Sequence, residues 1–331
     1  MRNKTLAGIA VIGLIGLCGT VTDGQQAGQR GRGAGAAAPA VPDLTAGKTM
    51  FWPAADIEAR WKENEALKRN NSRLFNGPTN ISANVRIVAG NDAPLTHETT
   101  GDLWIVTAGT AVSRTDGRIA ETGGTRSISN GTTRTVRTGD VLYVPPGVPH
   151  HFTQMHGFRA WLMRFDTLGL MRTPPAPAAG RGGPPAPPVP DLATDKTMFW
   201  TAADIDARWK ENEALKRINS RIYNGPANIS ANVRIVLDGD PPATHQGTAD
   251  LWLVTAGEAV ARTDGEIVEG TATIRNGMAR TVRAGDLLYV PPGVPHHFTG
   301  MKGFRAWLIR YDVEGWAQSI QPAAAGRGGA Q

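Results

Sequence analysis

The stretch Gly139-Asp-Val-Leu-Tyr-Val-Pro-Pro-Gly-Val-Pro-His150 decides the fold, and the chain carries it twice. The second occurrence runs from Gly285 to His296 with one substitution, Leu in place of Val141. The apolar run before Pro145 predicts a short buried strand, and the Pro-Pro-Gly sequence ends that strand in a sharp turn. His150 is then expected to begin the next strand, with its ring directed into the protein interior.

The duplication extends over most of the chain. The segment 41–117 matches the segment 189–265 at a constant offset of 148 residues, and we count 57 identities in those 77 pairs. A two-residue deletion in the second copy then changes the offset to 146. Residues that remain the same in both copies are therefore the first candidates for structural or functional roles.

Tracts rich in Gly, Ala and Pro flank the two copies. We predict a first domain at 41–172 and a second at 189–316, joined by a Pro/Gly linker at 173–188. The segments 25–40 and 317–331 favour disorder, because they cannot bury enough apolar surface to offset the entropy of ordering.

Each copy is predicted to begin with a helix and continue as strands. Pro53 suits a first helical turn, and strong helix formers follow from Ala54 to Lys68, with Ile57 and Trp61 on the side that packs against the outside of the strands. Short strands follow, among them 103–107, 110–114, 141–144 and 158–164, and turn pairs such as Asp116-Gly117 separate them. This pattern indicates a sandwich or a barrel.

The form G-x5-P-x-G-x2-H of the opening stretch resembles the second motif of the cupin superfamily. The first cupin motif, G-x5-H-x-H-x3–4-E-x6-G, has a partial counterpart in which Asp102 stands for the Glu and His97 for the second His, while Leu95 replaces the first His. The resemblance implies an all-β dominated fold of two cupin (jelly-roll-like) β-barrels in tandem, each preceded by a short α-helix.

The histidines predict a divalent metal in each domain. Two His and one carboxylate form a set that binds Fe(II), Mn(II), Zn(II) or Ni(II) and leaves positions open for other ligands. Each His that follows a predicted ligand on the strand points to the opposite face, so only one of the pair enters the barrel. The motif selects the first of each pair. The predicted ligands are His97, Asp102 and His150 in the first copy and His245, Asp250 and His296 in the second.

Other repeated residues are predicted to face the same interior and to bind substrate. An arginine there would hold a carboxylate, and a tryptophan would wall the pocket. The alternatives are that the tryptophans are plain core and that Arg86 is a buried ion-pair partner. These candidates are Asn84, Arg86, Trp104, Arg159 and Trp161, with Asn232, Arg234, Trp252, Arg305 and Trp307 in the second copy.

The N-terminal segment 1–24 has the composition of a secretory signal peptide, with Arg2 and Lys4 before an apolar run of twelve residues. It predicts export to a periplasm or the extracellular medium; a lipoprotein acylated at Cys18 is the alternative. No transmembrane segment is expected after signal removal. The net charge is +6, but no long Lys/Arg run accompanies it, so a nucleic-acid partner is not expected.

Three functions remain open from the sequence. The first is a metal-dependent enzyme acting on a small organic substrate, as the cupin resemblance implies for dioxygenases, decarboxylases, lyases and isomerases. The second is a module that binds a small molecule or sugar without turnover, and the third is a structural role. Retention of the polar site in both copies argues against the third. A homo-oligomer is compatible with the sequence.

Overall fold

The two copies of the repeat fold alike in the computed structural model, which describes residues 41–45, 47–76, 82–87, 92–166, 189–216, 218–223, 230–234, 241–271 and 273–312. The first copy contains β1 (Met50–Trp52), α1 (Ala54–Leu67), β2 (Asn71–Asn76), β3 (Ser82–Ile87), β4 (Thr100–Thr115), β5 (Arg118–Thr122), β6 (Thr125–Ser129), β7 (Thr132–Arg137), β8 (Val141–Val144) and β9 (His150–Asp166). The second contains β10 (Met198–Trp200), α2 (Ala202–Ala214), β11 (Asn219–Arg221), β12 (Ser230–Arg234), β13 (Thr248–Thr263), β14 (Glu266–Ile267), β15 (Ile274–Arg275), β16 (Met278–Arg283), β17 (Leu287–Val290) and β18 (His296–Asp312).

The strands of each copy are antiparallel and form a barrel. Two long strands lie in the middle of its strand order. In the first copy, β4 pairs with β9 along its length, with β8 near its start and with β7 near its end. The order of the sheet is β10-β8-β4-β9-β3-β2, and the second copy repeats it with β1-β17-β13-β18-β12-β11.

The separate strands predicted at 103–107 and 110–114 are one bent strand, and the segment 158–164 belongs to a strand that already begins at His150. Register shifts between Val106 and Val112 produce the bend. Gly109 lies there with φ +67°, and a Cβ at this position would come within 2.3 Å of the backbone of Gly157. Glycine is therefore required where β4 lies against the backbone of β9.

The barrel interior follows the two-residue alternation of the strands. On β4, Trp104 and Val106 point inward, whereas Leu103 and Ile105 point outward. The inward side chains form a separate apolar core in each barrel. The outward side chains of both copies form one shared core between the barrels, together with Ile57 and Trp61 of α1. The helix thus packs on the outer face, as the sequence indicated.

Each copy lends its first strand to the other barrel. β1 pairs with β17 of the second copy, and β10 pairs with β8 of the first. Asp286 accepts a hydrogen bond from the backbone N–H of Ala54 at 2.7 Å, and Asp140 accepts one from Ala202 at 2.7 Å. Each aspartate therefore satisfies an unpaired donor in the first turn of the other copy's helix.

The remaining predictions of chain organisation lie outside the described residues. These are the signal segment 1–24 with Cys18, the segment 25–40, the linker 173–188 and the tail 317–331. None of the helices in the described ranges combines the length and the apolar character needed to cross a membrane.

Candidate metal centre

The two cupin-like motifs meet through backbone hydrogen bonds. Leu95 and His150 form an isolated antiparallel bridge, in which each N–H donates to the other's carbonyl at 3.2 and 3.0 Å. Gly147, in the turn of the second motif, donates to the carbonyl oxygen of His97 at 2.7 Å. The loop that carries His97 is therefore held beside the first residue of β9.

Asp102 supplies the carboxylate from the inner face of β4. Asp102 is 1% exposed. Its Cα is paired with that of Val144 on one neighbouring strand and with that of Arg164 on the other. A carboxylate buried to this extent requires partners that compensate its charge.

The three predicted ligands of the first copy lie together. The Nε2 atom of His150 is 3.4 Å from Oδ2 of Asp102, and the Nε2 atom of His97 is 3.7 Å from the same oxygen. Two ligand atoms that each lie about 2.1 Å from one ion are separated by about 3.4 Å at a tetrahedral angle. These two spacings therefore fit a divalent metal ion after a contraction of a few tenths of an ångström at His97, and all three ligand atoms lie within 4.8 Å of one another.

The tautomer of His150 suits a metal ligand. Its Nδ1 atom lies 3.0 Å from the carbonyl oxygen of Val148, which can only accept, so Nδ1 carries the proton. In the neutral ring the lone pair of Nε2 then faces Oδ2 of Asp102, and two acceptors oppose each other. A cation between them, or a proton on Nε2, resolves this contact.

Arg164 also belongs to this cluster. Its Nε donates to Oδ1 of Asp102 at 2.7 Å and its Nη2 donates to Oδ2 at 2.8 Å, which is a bidentate arginine–carboxylate pair. Nη2 also lies 2.7 Å from Nε2 of His97. Since a guanidinium only donates, His97 accepts this hydrogen bond.

The second copy repeats the arrangement. His296 and His245 place their Nε2 atoms 3.5 and 3.8 Å from Oδ2 of Asp250. Arg310 donates to both oxygens of Asp250 at 2.6 and 2.8 Å, and its Nη2 lies 2.8 Å from Nε2 of His245. The Arg310 side chain is 27% exposed, against 6% for Arg164, so the second site is more open to solvent.

The electrostatics of the first site favour a charged aspartate and a neutral imidazole. Burial alone would raise the pKa of Asp102, but the charge and hydrogen bonds of Arg164 outweigh it and hold this pKa far below its usual range. Burial lowers the pKa of His97 to about 4, despite the opposing charge of Asp102. His97 is therefore neutral near pH 7 and can offer Nε2 as a ligand.

Two of the predicted substrate-binding residues of the first barrel lie inside it as an associated pair. The guanidinium carbon of Arg86 lies 5.0 Å from the ring centroid of Trp104, a cation–π contact. Arg86 also forms a 2.6 Å ion pair with Asp92, so it is the buried ion-pair partner that the sequence left as an alternative. Asn84, on the same face of β3, is buried as well.

The equivalent positions in the second barrel are only partly described. Trp252 lies in the interior core of that barrel. Asn232 and Arg234 lie on β12, but their side chains are outside the described part of the structure.

The prediction that Arg159 and Trp161 face the barrel interior is wrong, and so is its counterpart for Arg305 and Trp307. The two tryptophans belong to the core between the barrels, where Trp161 packs edge-on against Trp61 with centroids 6.1 Å apart. The two arginines form ion pairs with acidic residues of α1 and α2 on the outer face. Odd-numbered residues at this end of β9 point outward, whereas the sequence interpretation had placed them on the inner face.

Arg164 and Arg310 are the site residues that sequence reasoning missed. A signal was present, because Arg164 follows His150 by an even number of residues on one strand and both copies contain it. Counting in twos from His150 places Phe152, Ala160 and Arg164 on the inner face, which is where the structure has them.

Comparisons with known proteins were informative at the level of fold. No family profile matches the sequence, and no curated protein matches it significantly. The solved structure of salicylate 1,2-dioxygenase from Pseudaminobacter salicylatoxidans is similar, with a TM-score of 0.55 and 16% identity over 85% of this chain and 88% of that one. A cupin 2 conserved barrel domain protein from Leptotrichia buccalis has a TM-score of 0.47 and 12% identity, over 82% of this chain and 100% of that one.

The protein is accordingly a two-barrel β protein whose fold is similar to that of the salicylate 1,2-dioxygenase, and each barrel encloses a His/Asp/His group that could hold a metal ion. At these identities the similarity concerns the fold, and the site must be interpreted from its own residues.

Proposed function

We propose that the protein is an exported, metal-dependent bicupin enzyme that acts on a small organic substrate bearing a carboxylate. Its reaction would belong to one of four classes known among cupins, which are dioxygenases, decarboxylases, lyases and isomerases. The observation that carries the proposal is the presence, in both barrels, of two imidazoles and one buried carboxylate whose ligand atoms lie within 4.8 Å of one another.

The proposed metal ligands are His97, Asp102 and His150, and their equivalents in the second barrel. A metal bound by three protein ligands would act as a Lewis acid, and if it is iron or manganese also as a redox centre. The protein contributes the orientation of these ligands. The Val148 carbonyl fixes the tautomer of His150, and Arg164 fixes both oxygens of Asp102.

Two features support a carboxylate-bearing substrate. The guanidinium of Arg164 lies within the metal cluster, 2.7 Å from Nε2 of His97, and the buried guanidinium of Arg86 lies inside the same barrel against Trp104. The site is also enclosed by apolar side chains, which weakens the competition of water for a bound anion.

The test is metal content and affinity, compared across matched histidine variants. His150→Ala combined with His296→Ala should reduce bound metal to background after growth with Fe(II), Mn(II) or Zn(II). His156→Ala is the control, because His156 is exposed and has Lys302 as its counterpart in the second copy. If wild type and control retain no more metal than the double variant, the proposal fails.

A module that binds a small molecule without turnover is the second candidate. It is favoured by the hydrogen bonds of Arg164 to Asp102 and His97, which give these two side chains partners without a metal. Stable binding of a carboxylate or a sugar to demetallated protein, with no conversion of the ligand when metal is added, would support it over the enzyme.

Export is proposed from the N-terminal sequence alone. Cell fractionation of the full chain, with mass analysis of the mature N-terminus, tests this proposal. Mature protein in the periplasm or medium supports it, whereas an intact N-terminus in the cytosol contradicts it.

A further inference from the structure

The contact between Arg164 and His97 conflicts with metal binding by His97. The Nε2 atom of an imidazole has a single lone pair, in the plane of the ring. At 2.7 Å from Nη2 of Arg164, this lone pair accepts a hydrogen bond from a group that cannot be deprotonated. The same lone pair would have to coordinate the metal, so the two interactions exclude each other.

The conflict is confined to one side of the guanidinium. The bond from Nε of Arg164 to Oδ1 of Asp102, at 2.7 Å, does not involve His97 and leaves a lone pair on each oxygen. Nη2 is the group that lies against both ligands, at 2.8 Å from Oδ2 of Asp102 and 2.7 Å from His97. Arg164 can therefore release the histidine without losing its whole contact with the carboxylate.

The charge balance of the barrel changes when a metal enters. Arg164 and Asp102 neutralise each other, as do Arg86 and Asp92. A divalent cation leaves these four side chains and the ion with a net charge of +2 in a buried site. Buried charge without a counter-ion is strongly unfavourable, so an anion that binds beside the metal and accepts from the released Nη2 would offset it.

We propose that Arg164 and Arg310 compete with the metal for His97 and His245, so that a small carboxylate and the metal bind with positive coupling. The inference rests on the proposed function, because it takes the His/Asp/His groups as metal sites. The second barrel has the same contact, with Nη2 of Arg310 2.8 Å from Nε2 of His245, so the proposed competition applies to both sites.

Co²⁺ affinity tests the coupling in wild-type protein. Affinity is measured by competition with a chromogenic chelator, and the visible spectrum of bound Co²⁺ reports coordination directly. Saturating benzoate is the probe anion, and benzamide is its neutral control. We expect benzoate to tighten Co²⁺ binding by about tenfold, a typical coupling between two ligands, and benzamide to leave it unchanged.

Two arginine variants test the competition. Arg164→Met with Arg310→Met removes both guanidinium groups, and Co²⁺ should bind about tenfold more tightly than in wild type without added anion, and with no response to benzoate. Arg164→Lys with Arg310→Lys retains the charge beside Asp102, but one ammonium cannot reproduce the fork that also reaches His97. The lysine variant should therefore also bind Co²⁺ more tightly than wild type, and it replaces the methionine variant if that protein does not fold.

Arg159→Met with Arg305→Met is the matched control. These arginines lie on the same two strands as Arg164 and Arg310, but their side chains are on the outer face. Its Co²⁺ affinity should equal that of wild type. If wild type binds Co²⁺ as tightly as the Arg164 variants and ignores benzoate, the competition is refuted while the metal site stands. If no form binds Co²⁺ with or without benzoate, the metal site itself is refuted.

Discussion

Arg164 and Asp102 stand opposite each other on β9 and β4 and join through two parallel hydrogen bonds of 2.7 and 2.8 Å. Both side chains are buried, and Arg310 and Asp250 repeat the pair in the second barrel. The predicted acidic ligand is thus already held by an internal cation. This pair is the basis of the first two predictions below, which concern the stability of the barrel interior.

Removal of one partner should destabilise the first barrel strongly. Arg164→Met leaves a buried carboxylate uncompensated, and we expect a loss of about 3–5 kcal/mol in the free energy of unfolding, measured by urea denaturation. Asp102→Leu should cost a similar amount. The double variant should cost less than the sum of the two, because it leaves no unpaired charge. Strictly additive losses would show that the pair is not coupled.

Acid should weaken the protein through the same pair. The folded-state pKa of Asp102 lies below its unfolded value of about 3.9, so its stabilising contribution is complete above that pH and is lost as the pH falls below it. Between about pH 6 and about pH 3, wild type should therefore lose more unfolding free energy than Asp102→Asn with Asp250→Asn. Equal losses in both proteins would contradict the assignment.

Gly139 should tolerate a side chain poorly, because Ala202, the first residue of α2, lies against it. Its φ is +91°, and a Cβ would lie 2.8 Å from the Cβ of Ala202. Gly123→Ala is the matched control, since Gly123 also has a positive φ but no atom within 4 Å. We expect Gly139→Ala to cost about 1–3 kcal/mol more than Gly123→Ala in thermal or urea unfolding. Equal costs would argue against the close approach of α2 to Gly139.

Trp161 should matter for stability and not for metal binding. It packs in the core between the barrels, so Trp161→Ala should cost about 3–5 kcal/mol of unfolding free energy through the cavity that it leaves. Its Co²⁺ affinity, measured below the unfolding transition, should remain that of wild type. A large loss of metal affinity in this folded variant would show that Trp161 contributes to the metal site and would contradict the prediction.

Much of the fold could be predicted from the repeat and from one motif. The Pro-Pro-Gly turn placed His150 at the start of a strand, and the spacing of the first motif placed His97 and Asp102 near it. The prediction for His150 depends on local sequence, since the turn and the two-residue alternation fix the direction of nearby side chains, whereas the assignment of His97 and Asp102 depends on the resemblance to the first cupin motif.

The exchange of first strands could not be predicted from the sequence. β1 and β10 are Met-Phe-Trp in both copies, and β8 and β17 differ by one Val-to-Leu change, so either pairing satisfies the same pattern. The choice between them depends on the packing of whole barrels. Arg164 was missed for a different reason, because assigning its face needs a count from His150 across an irregular strand with a positive φ at Gln154.

Anomalous diffraction from crystals grown with Co²⁺ and benzoate tests the metal centre most directly. The account predicts one anomalous peak in each barrel, about 2.0–2.2 Å from Nε2 of His97, a carboxylate oxygen of Asp102 and Nε2 of His150, or from the equivalent atoms of the second copy. It also predicts that Nη2 of Arg164 has left His97. Crystals without a peak at either site, with Arg164 still bonded to His97, would contradict it.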